Sequence, residues 1–278
     1  MGVSAEPGRS SASRLLAVLG AFDRRRPAMT LSQLSAVSGI SLATTHRIAK
    51  ELTQWGALER NPDGTFQIGL KLWELGSLAP RQKELRRVAR PSLDNLYQAT
   101  RELVQLAVFE DGHALIVEKV SGSRPVSNVT EIAGRLPLHA TGVGKIFLAF
   151  GPDEPLAWVR AGQLKRYTGR TVISPAAITA AIRKAQREYV TYCRDEMTIG
   201  TSSVAAPIFD SDGNLAGALG ILVDSRAPLM RLAPAVLTAA VTISRRMGYF
   251  GPIRPADGDL QGAGSGLSRN ERRSGQFA

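Results

Sequence analysis

The sequence has little cysteine and little histidine, and this limits the chemistry that it can support. Cys193 is the only cysteine in 278 residues, which excludes a disulfide within the chain and a zinc site built from several cysteines. The three histidines are His46, His113 and His139, and their spacing matches no metal-binding motif. We therefore expect neither a metal ion nor another cofactor.

Long hydrophobic runs are also missing. The longest apolar stretches, residues 213–223 and 232–244, are shorter than the roughly 18–20 residues that a membrane-spanning helix needs. The short run Leu15–Phe22 is followed by three arginines and has no small-residue cleavage site, so it does not resemble a signal peptide. We expect a cytoplasmic protein without a membrane partner.

What the sequence does have is positive charge, and most of the excess lies in the first third. The net charge is +11, and residues 1–90 contain 14 Lys and Arg against 7 Asp and Glu. Such an excess attracts polyanions, of which nucleic acid is the common one. It also favours solubility, and composition alone does not separate these explanations. The chain length and the 44% of apolar residues indicate two globular domains.

Three short helices are predicted in this basic third. Apolar residues at helical spacing in Leu15–Phe22 predict the first, with the cluster Arg24–Arg26 placed to suit a helix C-terminus. Thr30 is expected to cap a second helix that ends at Gly39, and Ser41 to cap a third. Two helices joined by a three- to four-residue turn with glycine are typical of a helix-turn-helix.

The third helix has two different faces. An inward stripe is formed by Thr45, Ile48, Ala49 and Leu52. With that stripe buried, the opposite face and the N-terminal end present groups that can reach base edges and phosphates in a major groove. These candidate DNA contacts are Ser41, Leu42, Ala43, Thr44, His46, Arg47 and Lys50.

A β-hairpin is predicted directly after the third helix. Residues 57–60 and 65–68 have strand character, and "NPDG" at 61–64 supplies the turn. Arg60 and Gly64 at this wing are further candidate contacts to DNA. The order helix, helix, turn, helix, hairpin predicts a winged helix-turn-helix.

The remainder of the chain alternates helices with strands. Residues 70–100 are predicted to be helical, with a solvated basic face at 81–90 and a break or kink before Pro91. Strands are predicted at 103–110, 114–120, 202–210 and 217–224, with "PVSNVTE" at 125–131 as a further candidate, and helices at 175–188 and 228–247. This order indicates an antiparallel or mixed sheet with helices packed on it.

The stretch "LHATGVGKIF" at 138–147 raises the possibility of a phosphate-binding loop. His139 stands where such a loop has its first glycine, and Ile146 replaces the hydroxyl residue that reaches Mg²⁺. We interpret the stretch as a tight turn that leads into a helix from about residue 144, whose N–H groups favour a small anion. Lys145 is expected to face solvent, and His139 is either a structural, hydrogen-bonded histidine or a ligand contact.

Three segments together resemble the IclR family of bacterial transcriptional regulators. They are "GISLATTHRIAKELTQWGALERNPDGTFQIGLKLWELG", "LPLHATGVGKIFLA" and "VAAPIFDSDGNLAGALGILV", within residues of about 12 to 250. The resemblance implies an α+β protein of two domains, a winged helix-turn-helix followed by a GAF-like α/β effector domain with a curved sheet. We expect a disordered arm at 1–11, the DNA-binding domain at 12–70, a linker helix region at 71–90, the effector domain at 91–250 and a disordered tail at 251–278.

The resemblance also implies partners and a ligand pocket. Double-stranded DNA with a palindromic operator, a homodimer or a dimer of dimers, and a small effector, expected to be a carboxylate, are the implied partners. The pocket positions that match the family's motifs are Gly142, Val143, Cys193, Ser203, Gly220 and Leu222. Gly220 and Leu222 stand where some members present hydroxyls, which predicts an effector less polar than a two- or three-carbon keto acid, such as an aromatic or longer-chain carboxylate.

Two alternative functions are an enzyme with a GAF-like core and an architectural DNA-binding protein without an effector. Catalysis is not expected, because Cys193 has no neighbouring nucleophile motif and no G-x-S-x-G sequence occurs. Asp195 and Glu196 are interpreted as a solvated turn. The size of the second domain argues against a purely architectural role.

Overall fold

The computed structural model describes residues 10–23, 26–78, 80–122, 131–152, 157, 159 and 164–253, with side chains throughout except at 80–82. The chain divides into two compact units, Met1–Lys83 and Glu84–Ala278. No helix in the described ranges is long and apolar enough to span a membrane, and these ranges hold no cluster of three or more His, Cys, Asp or Glu side chains suited to a metal ion.

The first unit is a small helical domain with a three-stranded sheet. Its elements are α1 (Ser11–Leu19), β1 (Ala28–Met29), α2 (Leu31–Ser38), α3 (Leu42–Trp55), β2 (Leu58–Arg60), β3 (Phe66–Ile68) and α4 (Leu70–Gly76). The antiparallel sheet has the order β1-β3-β2, so the predicted hairpin is present and β1, which we did not predict, extends it.

Local sequence explains the ends of α2. Thr30 and Gln33 form a capping box, in which each side chain bonds the other residue's backbone N–H. Gly39 ends the helix in the left-handed region at φ 68°. The prediction that the arginine cluster ends α1 is wrong, because the helix stops at Leu19 and is followed by Gly20. Arg26 instead pairs with Asp23.

The inward stripe of α3 is confirmed. Thr45, Ile48, Ala49 and Leu52 are all buried. They belong to, or lie beside, a core that includes Val18 of α1, Leu34 of α2, and Met29, Leu58 and Phe66 of the sheet.

The second unit is an antiparallel sheet covered by helices on both faces. Its elements are α5 (Pro80–Thr100), β4 (Leu103–Glu110), β5 (His113–Val120), β6 (Arg135–Pro137), α6 (Gly142–Phe150), α7 (Pro175–Glu188), β7 (Thr191–Arg194), β8 (Thr201–Phe209), β9 (Leu215–Asp224) and α8 (Leu229–Arg246). The strand order is β6-β5-β4-β9-β8-β7, and every pairing is antiparallel. The predicted α+β class is confirmed.

Alternation along the strands separates two cores. One face of β4, β8 and β9 packs with α5 and α8, through residues such as Val204, Ile221 and Val236. The other face packs with α6 and α7, through residues such as Ala205 and Phe147. The strand-rich second unit therefore has a helical layer on each side, as its sequence pattern predicts.

Several sequence predictions disagree with the structure of the second unit. α5 runs unbroken through Pro91 and across the boundary that we expected at 90/91. Of the predicted break or kink, the break is therefore wrong, and the kink stays a prediction. The basic face remains solvated in the described residues, because Arg86, Arg87 and Arg90 are exposed. Arg86 and Arg90 also pair with the buried Glu118 on β5, with N–O distances of 3.0 and 3.5 Å. β6 and β7 were not predicted. The candidate strand at 125–131 lies almost wholly outside the described residues.

The expected chain ends lie mostly outside the described residues as well. Residues 1–9 and 254–278 are not described. Ser10 caps α1, which begins at Ser11, and Ile253 is buried. The described residues thus extend slightly beyond the limits of 12 and 250 that we expected, and the expected disorder of the chain ends stays a prediction.

Candidate nucleic-acid interface and ligand cavity

The outer face of α3 carries the predicted nucleic-acid contacts. Ser41, Leu42, Ala43, His46, Arg47 and Lys50 are exposed, and Thr44 is half-buried. Arg47 Nη1 lies 2.9 Å from Glu51 Oε1 in an exposed pair, which competes only weakly with an external anion. Arginine and lysine can bind guanine edges or phosphates, and histidine adds a further polar group to the same face.

Ser41 occupies the N-cap position of α3 but does not cap it with its side chain. Its hydroxyl lies 3.0 Å from the Thr44 hydroxyl instead. The predicted cap bond is therefore wrong. The first N–H groups of α3 have no side-chain cap from Ser41, and helix N-termini of this kind favour phosphate.

The turn of the wing has the geometry that its sequence predicts. Gly64 has φ 84° and donates its N–H to the Asn61 carbonyl at 2.9 Å. The guanidinium of Arg60 lies over the Phe66 ring, 5.8 Å from its centroid, which leaves the arginine's edge available. Hydrogen bonds from Thr65 lower the pKa of the exposed Asp63, so the turn also carries a negative charge.

The first unit also exposes large apolar side chains that are not among the candidate DNA contacts. Leu16 is 64% exposed, Trp55 53%, Leu70 62% and Trp73 69%. Beside Trp55 lies a groove of about 460 Å³. The groove is lined by Leu15, Leu19, Glu51, Leu52, Trp55, Ala57 and Leu72. An apolar surface of this extent on a small domain is typical of an interaction site.

The second unit contains a small cavity between the start of α6, the sheet and the segment that joins β7 to β8. Its volume is about 40 Å³, room for about three water molecules. The lining residues are Gln105, Leu136, Ala140, Thr141, Cys193, Met197, Thr198, Thr201, Ser202, Ser203 and Leu222. These are apolar or neutral polar residues, and none of them is a cation.

Strand register brings three predicted pocket residues together. Cys193 on β7 lies opposite Ser203 on β8, and Ser203 lies opposite Leu222 on β9. All three line the cavity. They are contributed by three neighbouring strands, so nothing in their sequence spacing predicts this row.

Gly142, Val143 and Gly220 lie beside the cavity but are not among its lining residues. A Cβ on Gly142 would come within 2.7 Å of Ser203 Oγ, and one on Gly220 within 2.9 Å of Val143 Cγ1. The two glycines therefore let α6 approach the sheet closely. Their part in the fold is this contact, and a direct contact with a ligand remains a prediction.

The glycine-rich turn forms a capped helix start that differs from a phosphate-binding loop. α6 begins at Gly142, earlier than predicted, and the Thr141 hydroxyl accepts from Gly144 N at 3.1 Å and donates to the Pro137 carbonyl at 2.8 Å. Gly144 N and Lys145 N are thus already bonded within the turn. The N–H groups of Gly142 and Val143 are the ones that a helix start leaves for another acceptor.

Lys145 is buried and pairs with Glu196, so the expectation that it faces solvent is wrong. The interpretation of Asp195 and Glu196 as a solvated turn is wrong too, because both are buried. Glu196 further accepts from Val172 N at 3.4 Å, and Asp195 accepts from Arg170 Nη1 at 3.0 Å and from Gly200 N at 2.7 Å. These bonds fix the segment that carries Met197 and Thr198 against the cavity.

Cys193 and His139 have the environment of structural residues. The Cys193 thiol donates to the Ala140 carbonyl at 3.2 Å, and burial raises its pKa to about 12, so the thiol is neutral and a poor nucleophile at physiological pH. His139 Nε2–H donates to the Lys165 carbonyl at 2.9 Å, and burial lowers its pKa. Of the two possibilities for His139, this geometry favours the structural one.

Gln105 is one of several cavity residues that sequence reasoning missed. It is 2% exposed, and its Oε1 has no hydrogen-bond partner among the described residues. A sequence signal was present, because the glutamine interrupts the run "LVQLAVF", in which every other residue is apolar.

Two family models match the chain. The IclR helix-turn-helix domain matches residues 11–62, and the bacterial transcriptional regulator IclR C-terminal domain matches residues 79–245. The chain is similar to the HTH-type transcriptional regulator KipR of Bacillus subtilis, with 29% identity over 84% of this chain and 95% of KipR. It is similar to the glycerol operon regulatory protein of Streptomyces coelicolor, with 31% identity over 76% and 82% of the two chains.

A solved structure is similar over nearly the same span. It is an IclR homolog from Microbacterium hydrocarbonoxydans in complex with 4-hydroxybenzoate, with a TM-score of 0.82 and 31% identity over 86% of this chain and 99% of that one. The resemblance noted from the sequence motifs is thereby confirmed over both domains.

Proposed function

Because the chain belongs to the IclR family of bacterial transcriptional regulators, we propose that it binds specific DNA and that a small organic effector changes its DNA affinity. The observation that carries this proposal is the exposed face of α3, with Arg47, Lys50 and His46 directed away from the buried stripe. An exposed polar and basic face on the second helix of a helix-turn-helix is what major-groove binding requires.

The DNA-contacting residues in this proposal fall into two groups. On α3 they are Ser41, Leu42, Ala43, Thr44, His46, Arg47 and Lys50, and at the wing they are Arg60 and Gly64. The α3 residues contact base edges and neighbouring phosphates, whereas the wing lies along the backbone.

A homodimer places two copies of α3 on one operator. The exposed Leu16, Trp55, Leu70 and Trp73 supply the apolar area that a stable interface needs. Two-fold symmetry then requires a palindromic operator, with half-sites about 10 bp apart or a multiple of that spacing. Pairs of such dimers are an extension of the same proposal.

The effector in this proposal is a small carboxylate bound in the cavity, between α6 and the row of Cys193, Ser203 and Leu222. The cavity lining contains no cationic side chain. An anion there is instead favoured by the N–H groups of Gly142 and Val143 and by the positive end of the α6 dipole. The complex of a 31% identical homolog with 4-hydroxybenzoate supports an organic acid. A ligand of that size is larger than the cavity of about 40 Å³, so the cavity has to widen when the effector binds.

Effector binding acts on DNA affinity by a difference in free energy. In a dimer, the two DNA-binding domains can take more than one arrangement. The effector shifts the equilibrium between these arrangements only as far as its affinities for the arrangements differ. The protein carries out no catalysis in this proposal, because Cys193 is held neutral and bonded to a carbonyl. The cytoplasm, where DNA is, is the compartment that this function needs.

The experiment is a gel shift with DNA from upstream of the protein's own gene, at two salt concentrations, with a scrambled duplex as competitor. We expect specific binding that weakens steeply with salt, because phosphate contacts release counterions. Binding without sequence preference would support an architectural protein instead. An absence of binding at low salt would contradict the proposal.

A further inference from the structure

Gln105 lies where an unpaired amide is unfavourable. β4 is an interior strand between β5 and β9, and Gln105 is 2% exposed with no hydrogen-bond partner for Oε1 among the described residues. Buried polar atoms are almost always bonded, so each exception needs an explanation. Here the amide borders a cavity, which suggests that its partner is a molecule bound there.

Strand register shows which face Gln105 occupies. It lies opposite Gly220 on β9, and Gly220 lies opposite Ala205 on β8. Ala205 belongs to the core beneath α6, and directly paired residues share a face. Gln105 is therefore on the face of the sheet that carries the row Cys193, Ser203 and Leu222.

Ser202 also lines the cavity and has an unpartnered hydroxyl, but alternation along β8 directs its side chain to the face opposite that of Gln105. It lies opposite Val223, which belongs to the core beneath α8. Of these two strand residues, Gln105 is therefore the one whose unpartnered group lies on the face of the sheet beneath α6.

The start of α6 packs against this same face of the sheet. A Cβ on Gly142 would approach the side chains of Ser203 and Ala205, and a Cβ on Gly220 would approach the side chain of Val143. Gly220 is the neighbour of Gln105 on the next strand, at a strand spacing of about 4.8 Å. A bound molecule can therefore meet helix N–H groups at one point and the Gln105 amide at another.

We propose that Gln105 selects the effector by accepting a hydrogen bond from a hydroxyl group on it, so that the effector is a hydroxylated carboxylate. The inference rests on the proposed function and specifies its ligand. The carboxylate faces the N–H groups of Gly142 and Val143. A hydroxyl suits a terminal amide, because it donates to Oε1 and can accept from the amide nitrogen.

The test compares matched ligands on the full-length protein. The probes are 4-hydroxybenzoate against benzoate and 3-hydroxybutyrate against butyrate, titrated by calorimetry into the wild type, Gln105→Met and the control Gln98→Met. Gln98 is exposed on α5. In the wild type and the control, we expect the hydroxylated member of at least one pair to bind about tenfold more tightly. In Gln105→Met the ratio falls toward one.

A second measurement needs no ligand. Methionine fills nearly the same volume without a polar atom, so we expect Gln105→Met to raise the melting temperature of the free protein by about 2–4 °C. A lower melting temperature would mean that the amide has a structural partner, and would overturn the inference even if no probe binds.

The outcomes separate the inference from the function on which it rests. Equal binding of both members of each pair by the wild type, or selectivity retained in Gln105→Met, overturns the role of Gln105 and leaves a carboxylate effector in place. If no probe binds the wild type or changes its gel shift, the carboxylate effector is contradicted, and the melting temperature alone decides whether Gln105 awaits a partner.

Discussion

The DNA-binding domain keeps its ionisable groups in water, whereas the effector domain buries several of them. In the described part of the first unit, the buried polar residues are Ser38 and Thr45, neither of which is ionisable. The second unit buries Glu118, His139, Lys145, Asp195 and Glu196. The two domains thus use charge in opposite ways.

This difference matches what each domain has to recognise. A polyanion is attracted over distance by exposed cations, whose strength depends on salt. A small molecule in a closed cavity is recognised by a few fixed polar groups, which need rigid support. The buried pair Lys145–Glu196 supplies such support to the segment carrying Met197 and Thr198, while Arg47 and Lys50 are exposed to solvent.

The largest expected effect concerns the closure of the cavity. Because burial raises the pKa of Cys193 from 9.0 to about 12, its thiolate fraction at pH 8 is about 1000-fold lower than that of an unperturbed thiol. We expect a disulfide reagent at pH 8 to react at least about 1000-fold more slowly with the native protein than with the protein in urea. Fast reaction of the native protein would show that the row of Cys193, Ser203 and Leu222 is open to solvent.

The next effect contrasts a buried ion pair with an exposed one. Lys145→Met leaves Glu196 buried without its partner, and we expect a loss of about 3–5 kcal/mol in the free energy of unfolding, measured by urea denaturation. Adding Glu196→Leu removes the stranded carboxylate and restores most of that loss.

Lys71→Met in the first unit is the matched control for Lys145→Met. It breaks the exposed pair with Glu74, whose N–O distance is 3.0 Å, and we expect a loss of about 0–1 kcal/mol. Similar losses for both lysine variants would contradict the contrast between the two domains.

A smaller effect tests the exposed charges of α3. We expect Arg47→Ala to weaken specific DNA binding by about 1–3 kcal/mol if the arginine contacts a base, measured by fluorescence anisotropy. Arg187→Ala removes the same charge from an exposed site on α7 and should leave DNA affinity nearly unchanged. An equal loss of affinity on specific and scrambled duplexes would assign Arg47 to phosphate.

The smallest effect concerns helix capping in the DNA-binding domain. Thr30 and Gln33 form a complete capping box, whereas Ser41 makes no side-chain cap bond. We expect Thr30→Ala to lower the free energy of unfolding by about 1 kcal/mol and Ser41→Ala by clearly less. Equal losses in the two variants would mean that the hydrogen bonds of the capping box add no stability beyond that of an N-cap serine without such bonds.

The features predicted most reliably from the sequence are local and periodic. The stripe of α3, the end of α2 at Gly39 and the turn of the wing each depend on residues a few positions apart, so spacing and turn chemistry suffice. The three segments that resemble the IclR family add the order of the domains.

The features that the sequence did not reveal depend on contacts between distant segments. Lys145 and Glu196 are 51 positions apart, and a lysine in a helix looks solvent-facing until the partner is known. The short strands β1, β6 and β7 are defined by their neighbours more than by their own two to four residues. Pro91 fits inside α5 because packing of Leu93 and Leu96 in the core outweighs the local preference to end the helix.

In the proposed function, effector binding and DNA binding are energetically coupled in one protein. The most direct measurement is the dissociation constant for the upstream DNA with and without a saturating effector, together with the dissociation constant for that effector with and without DNA. We expect both ratios to differ from one by the same factor, since coupling between two binding sites is reciprocal. An effector that binds tightly and leaves DNA affinity unchanged would contradict it.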